Sequence, residues 1–316
     1  MSRRRRGHAL CAVLLLDKPR GLSSNHALQQ ARRLCGAAKA GHGGSLDPLA
    51  EGVLPLLFGD ATRLSDRALN GDKAYRFGMA FGRQTSTGDL DGETVRECAQ
   101  PAPDAAALSA VLPRFLGPQQ QLPPMYSALK RDGQPLYKLA RQGIEVERAP
   151  RDITVHALEL ESVEGEVAYL HARVSKGTYI RTLAEDIAAA LAHCAHLVYL
   201  RRTECAGLRA PLCTLDALAA MPPQQRLRQL LPASVLAPQW PCATLDAEQA
   251  GRFAHGQPLP WEGEAASAVW VRDGHGRLLG IAQAEPRRLL PQRVFAAQAW
   301  QPGQPLEGLD FSSAAQ

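Results

Sequence analysis

Cysteine is scarce in this chain, and its spacing fits neither a disulfide framework nor a metal site. Seven cysteines are dispersed over 316 residues without a Cys-x-x-Cys pair, at positions 11, 35, 98, 194, 205, 213 and 242. This pattern argues against a disulfide scaffold or a zinc ribbon and favours a reducing cytoplasm. His193, Cys194 and His196 lie close together, but no second cluster stands at ligand spacing, so we expect no bound metal.

The sequence also lacks a long apolar run. No stretch approaches the roughly 20 apolar residues that a membrane-spanning helix needs. Four arginines at 3–6 precede the apolar residues 9–16, as in a secretion signal, but there is no cleavage site and residues 17–21 interrupt the pattern. We therefore predict a disordered basic tail over residues 1–12, followed by a buried strand.

Lysine is also scarce. Six lysines stand against thirty arginines, and the formal net charge is +5. Arginine matches phosphate oxygens well, and a mild basic excess fits a polyanionic partner. A GC-rich genome would replace lysine by arginine in the same way, so charge alone does not indicate a function.

Length and proline content predict two domains. A chain of 316 residues exceeds one small core, and prolines at 222, 223, 232, 238 and 241 favour a boundary near residue 240. Before it, irregularly interleaved strands and helices predict an α+β domain with a mixed, mainly antiparallel sheet surrounded by helices. After it, short strand-like segments predict a small β-barrel-like domain. There is no internal repeat.

The spacing of apolar residues predicts several helices and strands of the first domain. Ser23 or Ser24 can cap a helix, strands are expected over 52–58 and 74–81, and a helix over 178–192. A short helix is expected over 61–69. Residues 119–124 cannot form a helix, so we predict an ordered loop there.

One acid stands in an unusual setting. Asp47 lies in the segment Gly-His-Gly-Gly-Ser-Leu-Asp-Pro-Leu-Ala at 41–50, where the glycines permit close approach of a ligand and Pro48 fixes the following backbone. This pattern is unsuited to a helix and suits a reactive carboxylate. An aspartate whose side chain only hydrogen-bonds to the backbone of its own turn would give the same sequence pattern.

Three further segments contain candidate binding residues. Tyr75 stands between Lys73 and Arg76, an arrangement that suits stacking on a base beside its phosphate, although such triplets also occur at ordinary strand ends. Residues 175–182 run from a strand into a helix, so Lys176 and the helix N-terminus favour an anion there. Of the adjacent arginines at 201 and 202, one could hold a phosphate while the other is only solvated.

These segments, taken in order, resemble the TruB family of bacterial tRNA pseudouridine synthases, which modify uridine 55 of the T-loop. The matching blocks are 14–25 (LLLDKPRGLSSN), 39–50 (KAGHGGSLDPLA), 71–75 (GDKAY), 85–92 (TSTGDLDG), 124–130 (PMYSALK) and 176–181 (KGTYIR). Residues 245–257 and 293–295 resemble the family's RNA-binding PUA domain. The resemblance implies a catalytic domain over 13–240 and a PUA-like domain over 241–310.

The resemblance also implies residue roles. Asp47 matches the essential aspartate, Arg181 the arginine that pairs with it, and Tyr75 the aromatic residue that stacks on the target base. An opposite charge at close range favours the ionised acid. The reaction breaks the bond from ribose to base nitrogen and re-forms it to carbon, so it requires no metal or other cofactor.

Three more positions complete the implied pocket. Tyr179 and Leu200 match residues that surround the base, and His42 matches the histidine that helps to flip the uridine out of its stack. Gly43 departs from the family pattern, which has threonine there, and could loosen the loop. The implied partner is the T-arm of tRNA, bound by a cytoplasmic monomer without a protein partner or membrane.

Three alternatives remain open from sequence. The chain could keep this fold as an RNA-binding protein without catalysis. It could be a two-carboxylate glycoside hydrolase, with Asp72, Asp89 or Asp91 as the second acid. It could also be a relative that acts on guide-selected sites within a multi-subunit particle.

Overall fold

The N-terminus enters the fold earlier than the sequence predicts. The computed structural model describes residues 7–131, 133–306 and 309. The first strand begins at Cys11, whose N–H donates to the Trp300 carbonyl at 2.8 Å, and Leu10 is buried. The predicted tail over 1–12 is therefore wrong at its C-terminal end, because backbone pairing orders that part. Residues 1–6 of the tail lie outside the described residues.

The first domain contains a large ten-stranded sheet, two separate two-stranded sheets and the helices around them, and the separate sheets are the pairs β5–β6 and β8–β9 in the strands that follow. Its strands are β1 (Cys11–Lys18), β2 (Ala40–His42), β3 (Glu51–Gly59), β4 (Lys73–Phe81), β5 (Arg83–Thr85), β6 (Thr94–Glu97), β7 (Gly117–Gln121), β8 (Lys130–Arg131), β9 (Gln134–Pro135), β10 (Arg151–Glu164), β11 (Val167–Val174), β12 (Ala195–Cys205), β13 (Cys213–Thr214) and β14 (Leu231–Pro232). Its helices are α1 (Ser24–Leu34), α2 (Ser65–Asn70), α3 (Ala105–Val111), α4 (Leu136–Ala140), α5 (Ile180–Ala190), α6 (Leu215–Ala220) and α7 (Pro223–Arg228). Short 3₁₀ helices cover Asp60–Leu64, Leu112–Phe115 and Ala233–Leu236.

The large sheet is mixed and mainly antiparallel, as predicted. Its order is β13-β1-β3-β12-β4-β11-β10-β7, with β14 paired to β1 and β2 to β3. Within the described chain, only the β1–β13 and β3–β12 pairs of this sheet are parallel. The parallel β3–β12 pair places the start of β3, just after Asp47, beside β12 at the centre of the sheet.

Local sequence explains most of these elements. Ser23 caps α1, accepting a hydrogen bond from the N–H of His26 at 3.2 Å, as its position predicts. Strand β3 is an almost continuous apolar run because it is covered on both faces. The predicted helix over 61–69 is divided into a 3₁₀ turn and α2.

The first part of the loop predicted over 119–124 is instead an edge strand, whereas residues 122–124 belong to no helix or strand. Residues 117–121 form β7, which pairs with β10 at the end of the sheet. The sequence Gly-Pro-Gln-Gln-Gln has no apolar alternation to indicate a strand. Pro118 is tolerated because an edge strand needs hydrogen-bond donors on only one side.

The second domain is a small β structure, as predicted. It contains β15 (Cys242–Leu245), α8 (Ala247–Ala254), β16 (Leu259–Pro260), β17 (Ala266–Asp273), β18 (Leu278–Glu285) and β19 (Arg288–Val294). These strands form a five-stranded sheet in the order β15-β17-β18-β19-β16, closed by a core around Phe253. The domain boundary near 240 remains our proposal.

The two domains share an apolar core. Trp270, Ile281 and Phe295 of the small domain pack in one cluster with Val53 and Leu57 of β3. After β19 the chain runs back to the first domain, where Trp300 packs in the core of the large sheet. Among the described residues, no helix has the length and apolar character to cross a membrane.

Candidate active site

The Asp47 loop, residues 43–50, connects β2 to β3 and is held from the side by the segment that follows β1. The Ser24 hydroxyl donates to the Leu46 carbonyl at 3.0 Å and accepts from the Leu46 N–H at 2.7 Å. The N–H of Gly21 donates to the Pro48 carbonyl at 2.7 Å. Both residues that flank Asp47 are therefore fixed by hydrogen bonds to one neighbouring segment.

Gly43 is fixed by packing. A Cβ atom at this position would lie 2.4 Å from the Cβ of Ala68 in α2, and the Gly43 N–H donates to the Pro55 carbonyl at 2.8 Å. The expectation that glycine loosens the loop is therefore wrong. Ala68 occupies the space that a side chain at position 43 would need.

The predicted pair of Asp47 and Arg181 is formed. Arg181 Nη2 lies 3.0 Å from Asp47 Oδ2. Arg181 also donates to the carbonyls of Thr87, at 2.6 Å, and Tyr126, at 2.7 Å. Its side chain is 5% exposed, whereas that of Asp47 is 43% exposed. The guanidinium is thus immobilised inside the protein, and the carboxylate reaches the open side of the pair.

A second carboxylate faces the same arginine. Asp89 Oδ2 lies 3.9 Å from Arg181 Nε, and the side chain is 7% exposed. Its other oxygen accepts hydrogen bonds from the Thr87 hydroxyl at 2.5 Å and the Asp91 N–H at 3.1 Å. Sequence reasoning missed this contact because Thr-Gly-Asp-Leu-Asp-Gly has the composition of an ordinary turn.

The two other candidate acids do not approach this pair. Asp72 lies 3.3 Å from His156 Nε2 and 3.5 Å from Arg173 Nη2, and it is half-exposed. Asp91 is exposed. Only Asp89 of the three acids considered from sequence therefore contacts Arg181.

Burial shifts the titration of the charged groups in this region. Desolvation by the surrounding protein raises the pKa of Asp47. The neighbouring Arg181 guanidinium opposes that rise, and the negative charge of Asp89 adds to it. Lys18 is fully buried, which lowers its pKa to about 8, and its Nζ donates to the Pro19 and Leu22 carbonyls. The charges of both Arg181 and Lys18 favour the ionised form of Asp47.

The remaining predicted pocket residues lie on the adjoining elements. Tyr75, 9% exposed, stands on β4 directly opposite Arg202 of β12, and Leu200 lies two residues before Arg202 on the same strand. Tyr179 precedes α5 and exchanges two hydrogen bonds with the side chain of Gln121.

His42 ends β2, close to the start of the Asp47 loop. Burial and the charge of Arg202 lower its pKa, so the imidazole is neutral near pH 7. Within the part of the chain that the structure describes, its Nδ1 has no hydrogen-bond partner. A neutral ring with an unused nitrogen suits contact with a polar, uncharged base.

Several cations expected to contact phosphate are engaged within the protein. Lys73 is buried and donates to the Leu69 and Gly71 carbonyls, each at 2.6 Å. Arg76 is paired with Glu161. Lys73 is therefore not available to a phosphate beside Tyr75, and Arg76 already has a carboxylate partner.

The arginines at 201 and 202 also differ from expectation. Arg201 binds Asp17 at 2.8 Å and Glu51 at 3.0 Å, and Arg202 is only 1% exposed. Neither side chain is simply solvated, because each is used to join β12 to neighbouring segments.

The predicted anion site before α5 is occupied by protein groups. The N–H of Tyr179 donates to Gln121 Oε1 at 2.8 Å, and Lys176 Nζ donates to Asn70 Oδ1 at 3.0 Å. The anions that Arg181 binds are the carboxylates of Asp47 and Asp89.

Two cysteines are paired, contrary to expectation. Cys98 and Cys194 form a disulfide with a Cα–Cα distance of 6.0 Å, across a sequence separation of 96 residues. Such a separation leaves no spacing signal in the sequence. In the described ranges, one group could hold a metal ion, formed by these cysteines with His193. Both sulfurs are used in the disulfide, and His196 lies outside the group.

Known structures share this architecture. A crystal structure of a Cbf5–Nop10–Gar1 complex contains a chain that aligns with a TM-score of 0.67 and 23% identity, covering 94% of this chain and 88% of that one. An H/ACA RNP bound to a substrate RNA containing 2′-deoxyuridine aligns with a TM-score of 0.67 and 21% identity, covering 96% and 93%. At these identities the likeness establishes the fold.

Sequence comparison defines the class as the pseudouridylate synthases. Residues 32–180 match the family model described as "TruB family pseudouridylate synthase (N terminal domain)", and residues 241–295 match "Pseudouridine synthase II TruB, C-terminal". A tRNA pseudouridine synthase B of Burkholderia mallei (strain NCTC 10247) is 48% identical over 299 residues, covering 92% of this chain and 99% of the relative. One of Azoarcus sp. (strain BH72) is also 48% identical, over 290 residues, covering 92% and 96%. The chain belongs to the TruB family.

Proposed function

We propose that this protein converts uridine 55 in the T-loop of tRNA to pseudouridine. The reaction breaks the bond between ribose C1′ and N1 of uracil, joins C1′ to C5, and releases the C5 hydrogen as a proton while N1 gains one. The observation that carries the proposal is the Asp47 carboxylate, which is 43% exposed and lies 3.0 Å from the buried Arg181 guanidinium. The names of the 48% identical relatives support tRNA as the substrate.

In this proposal Asp47 is the essential catalytic group and Arg181 keeps it ionised and oriented. Addition to the ring, attack on the sugar carbon and removal of a sugar proton each need an ionised acid beside a detached base. A carboxylate held by a rigid guanidinium meets that need without a metal or another cofactor.

The other pocket residues bind the flipped uridine. Tyr75 stacks on the base, with its hydroxyl available for a late proton transfer, while Tyr179 and Leu200 enclose the ring and His42 helps to displace the uridine. Extrusion of a base costs a few kcal/mol, which contacts in the pocket offset. The small C-terminal domain contributes RNA contacts away from the reacting base.

We further propose that the protein acts as a monomer in the cytoplasm and needs no protein partner. The guide-dependent alternative requires additional subunits, such as those in the solved Cbf5–Nop10–Gar1 complex that shares this fold. Purified protein that modifies a bare tRNA transcript would support autonomous action. Dependence on added proteins or a guide RNA would contradict it.

The decisive experiment incubates tRNA with the parent protein or with the Asp47→Asn variant. It measures the release of the C5 hydrogen and the mass of the RNA. We expect the parent protein to form pseudouridine with no change in RNA mass, and Asp47→Asn to form none, because the amide cannot ionise. Asp91→Asn is a matched control, since that side chain is exposed and has no contact with Arg181.

Each outcome separates the alternatives. Full activity of Asp47→Asn would refute the catalytic assignment. An inactive parent that still binds tRNA would favour the RNA-binding protein, and release of free uracil with loss of RNA mass would favour the hydrolase.

A further inference from the structure

Arg202 is the largest fully buried side chain among the described residues. It stands on β12 where that strand is flanked on both sides, opposite Gly52 of the parallel β3 and opposite Tyr75 of the antiparallel β4. Burial of a guanidinium is costly unless its donors are satisfied. The groups that satisfy them therefore show what the charge is used for.

Main-chain carbonyls that precede and follow Asp47 in the sequence accept hydrogen bonds from the guanidinium. Nε donates to Val53 at 2.7 Å, Nη2 to Gly44 at 3.1 Å and Nη1 to Ser45 at 3.4 Å. In the described part of the chain, no carboxylate lies within ion-pair distance of it. The charge is thus met by the start of the Asp47 loop and by β3, which follows that loop.

The neighbour of this guanidinium across the β4–β12 pair is a residue of the proposed pocket. Tyr75 stands directly opposite Arg202, and both residues are buried. Burial raises the pKa of the Tyr75 hydroxyl, and the charge of Arg202 opposes that rise. Arg202 is therefore bound to the loop of the carboxylate and neighbours the residue proposed to stack on the base.

We infer that Arg202 is a positioning residue of the reaction, which holds the Asp47 loop and the start of β3 in one fixed arrangement against β12. This inference rests on the proposed function and extends it. Arg181 touches the carboxylate directly, whereas Arg202 acts through the backbone on both sides of Asp47. Because a small misplacement of reacting groups costs up to about 100-fold in rate, loss of Arg202 should lower kcat far more than RNA affinity.

The test compares Arg202→Lys and Arg202→Gln with Arg201→Lys and Arg201→Gln. The neighbouring Arg201 is a matched control, because it also joins β12 to other segments but binds Asp17 and Glu51 instead of the loop carbonyls. For each variant, kcat and KM on a tRNA transcript, the Kd for tRNA and the Tm would be measured.

We expect both Arg202 variants to lose about 10–100-fold in kcat, with tRNA Kd changed by less than about threefold. Lysine should retain more kcat than glutamine because it keeps the charge. The Arg201 variants should keep kcat even where their Tm falls. If Arg202→Gln does not fold, Arg202→Lys decides the question, since lysine still places a cation there but cannot reach all three carbonyls.

Two results would overturn the inference. One is a parent-like kcat for Arg202→Lys. The other is an equal loss of kcat in the matched Arg201 variants, which would assign the effect to general stability of β12. A parent protein that forms no pseudouridine in the same assay would instead reject the proposed function, so the two failures are distinguishable.

Discussion

At the residue scale, Asp47 is subject to opposing influences. Enclosure and Asp89 disfavour its charge, whereas Arg181 at 3.0 Å favours it. Arg181 cannot itself turn away, because two carbonyls hold it. Arg181 therefore limits the rise in the pKa of Asp47 and holds one side of the carboxylate, while the other side stays open to a ligand.

This balance predicts a defined pH dependence. The pKa of Asp47 is raised above 3.8, so the ionised fraction, and with it kcat/KM, falls as pH decreases through that higher value. Arg181→Met removes the opposing cation and should move the acid limb to higher pH. Asp89→Asn removes a negative charge and should move it to lower pH. Profiles of kcat/KM on tRNA would measure both, and shifts in the same direction would contradict the assignment.

At the element scale, the loop and α2 fit each other through two small residues. Gly43 and Ala68 meet where any side chain at position 43 would lie 2.4 Å from the Ala68 Cβ. Gly43 does not have a left-handed backbone, so glycine is needed there for space and not for conformation. The position of the loop thus depends on the size of one residue in the helix.

This fit predicts a compensating pair of substitutions. Gly43→Ala should destabilise the protein by about 1–3 kcal/mol through overpacking. Ala68→Gly should cost about 1 kcal/mol through helix propensity. The double variant should be more stable than the sum of the two losses predicts, because the second change makes room for the first. Chemical denaturation would measure this, and simple additivity would show that the contact relaxes at no cost.

The elements near the site were largely predictable from sequence, whereas their long-range contacts were not. The Ser23 cap, β3 and α5 follow from local capping and periodicity. The pairing of Asp47 with Arg181 was expected only through family resemblance, because no local pattern connects them.

What sequence could not predict has physical reasons. Asp89 has the composition of a turn, and Arg202 carries no mark of burial beside Arg201. The polar strand β7 is stable only because β10 pairs with it, and the bond between Cys98 and Cys194 depends on folding of the intervening chain. Such features exist only once distant segments meet.

At the scale of the whole molecule, the small domain is bound to the large one at both of its ends. Trp300 is 7% exposed and packs in the core of the large sheet. Its backbone N–H donates to the Ala9 carbonyl at 2.8 Å. Trp300 is therefore packed as part of the first domain.

We predict that the two domains unfold in one cooperative transition that depends on this return. Trp300→Ala should lower stability by about 3–5 kcal/mol, the usual cost of removing a large buried ring. Trp261→Ala, which removes a partly exposed tryptophan of the small domain, should cost less. Calorimetry would show the effect, and two separate transitions in the parent protein would contradict the shared core.

Strand β3 has one further consequence. One of its faces, with Leu54 and Leu56, lies in the core of the large sheet, and the other, with Val53 and Leu57, packs with Trp270 of the small domain. Close-packed interiors have low compressibility and transmit strain. A displacement of the small domain would therefore press on β3 and on the backbone that follows Asp47, which gives the distant domain a mechanical route to that carboxylate.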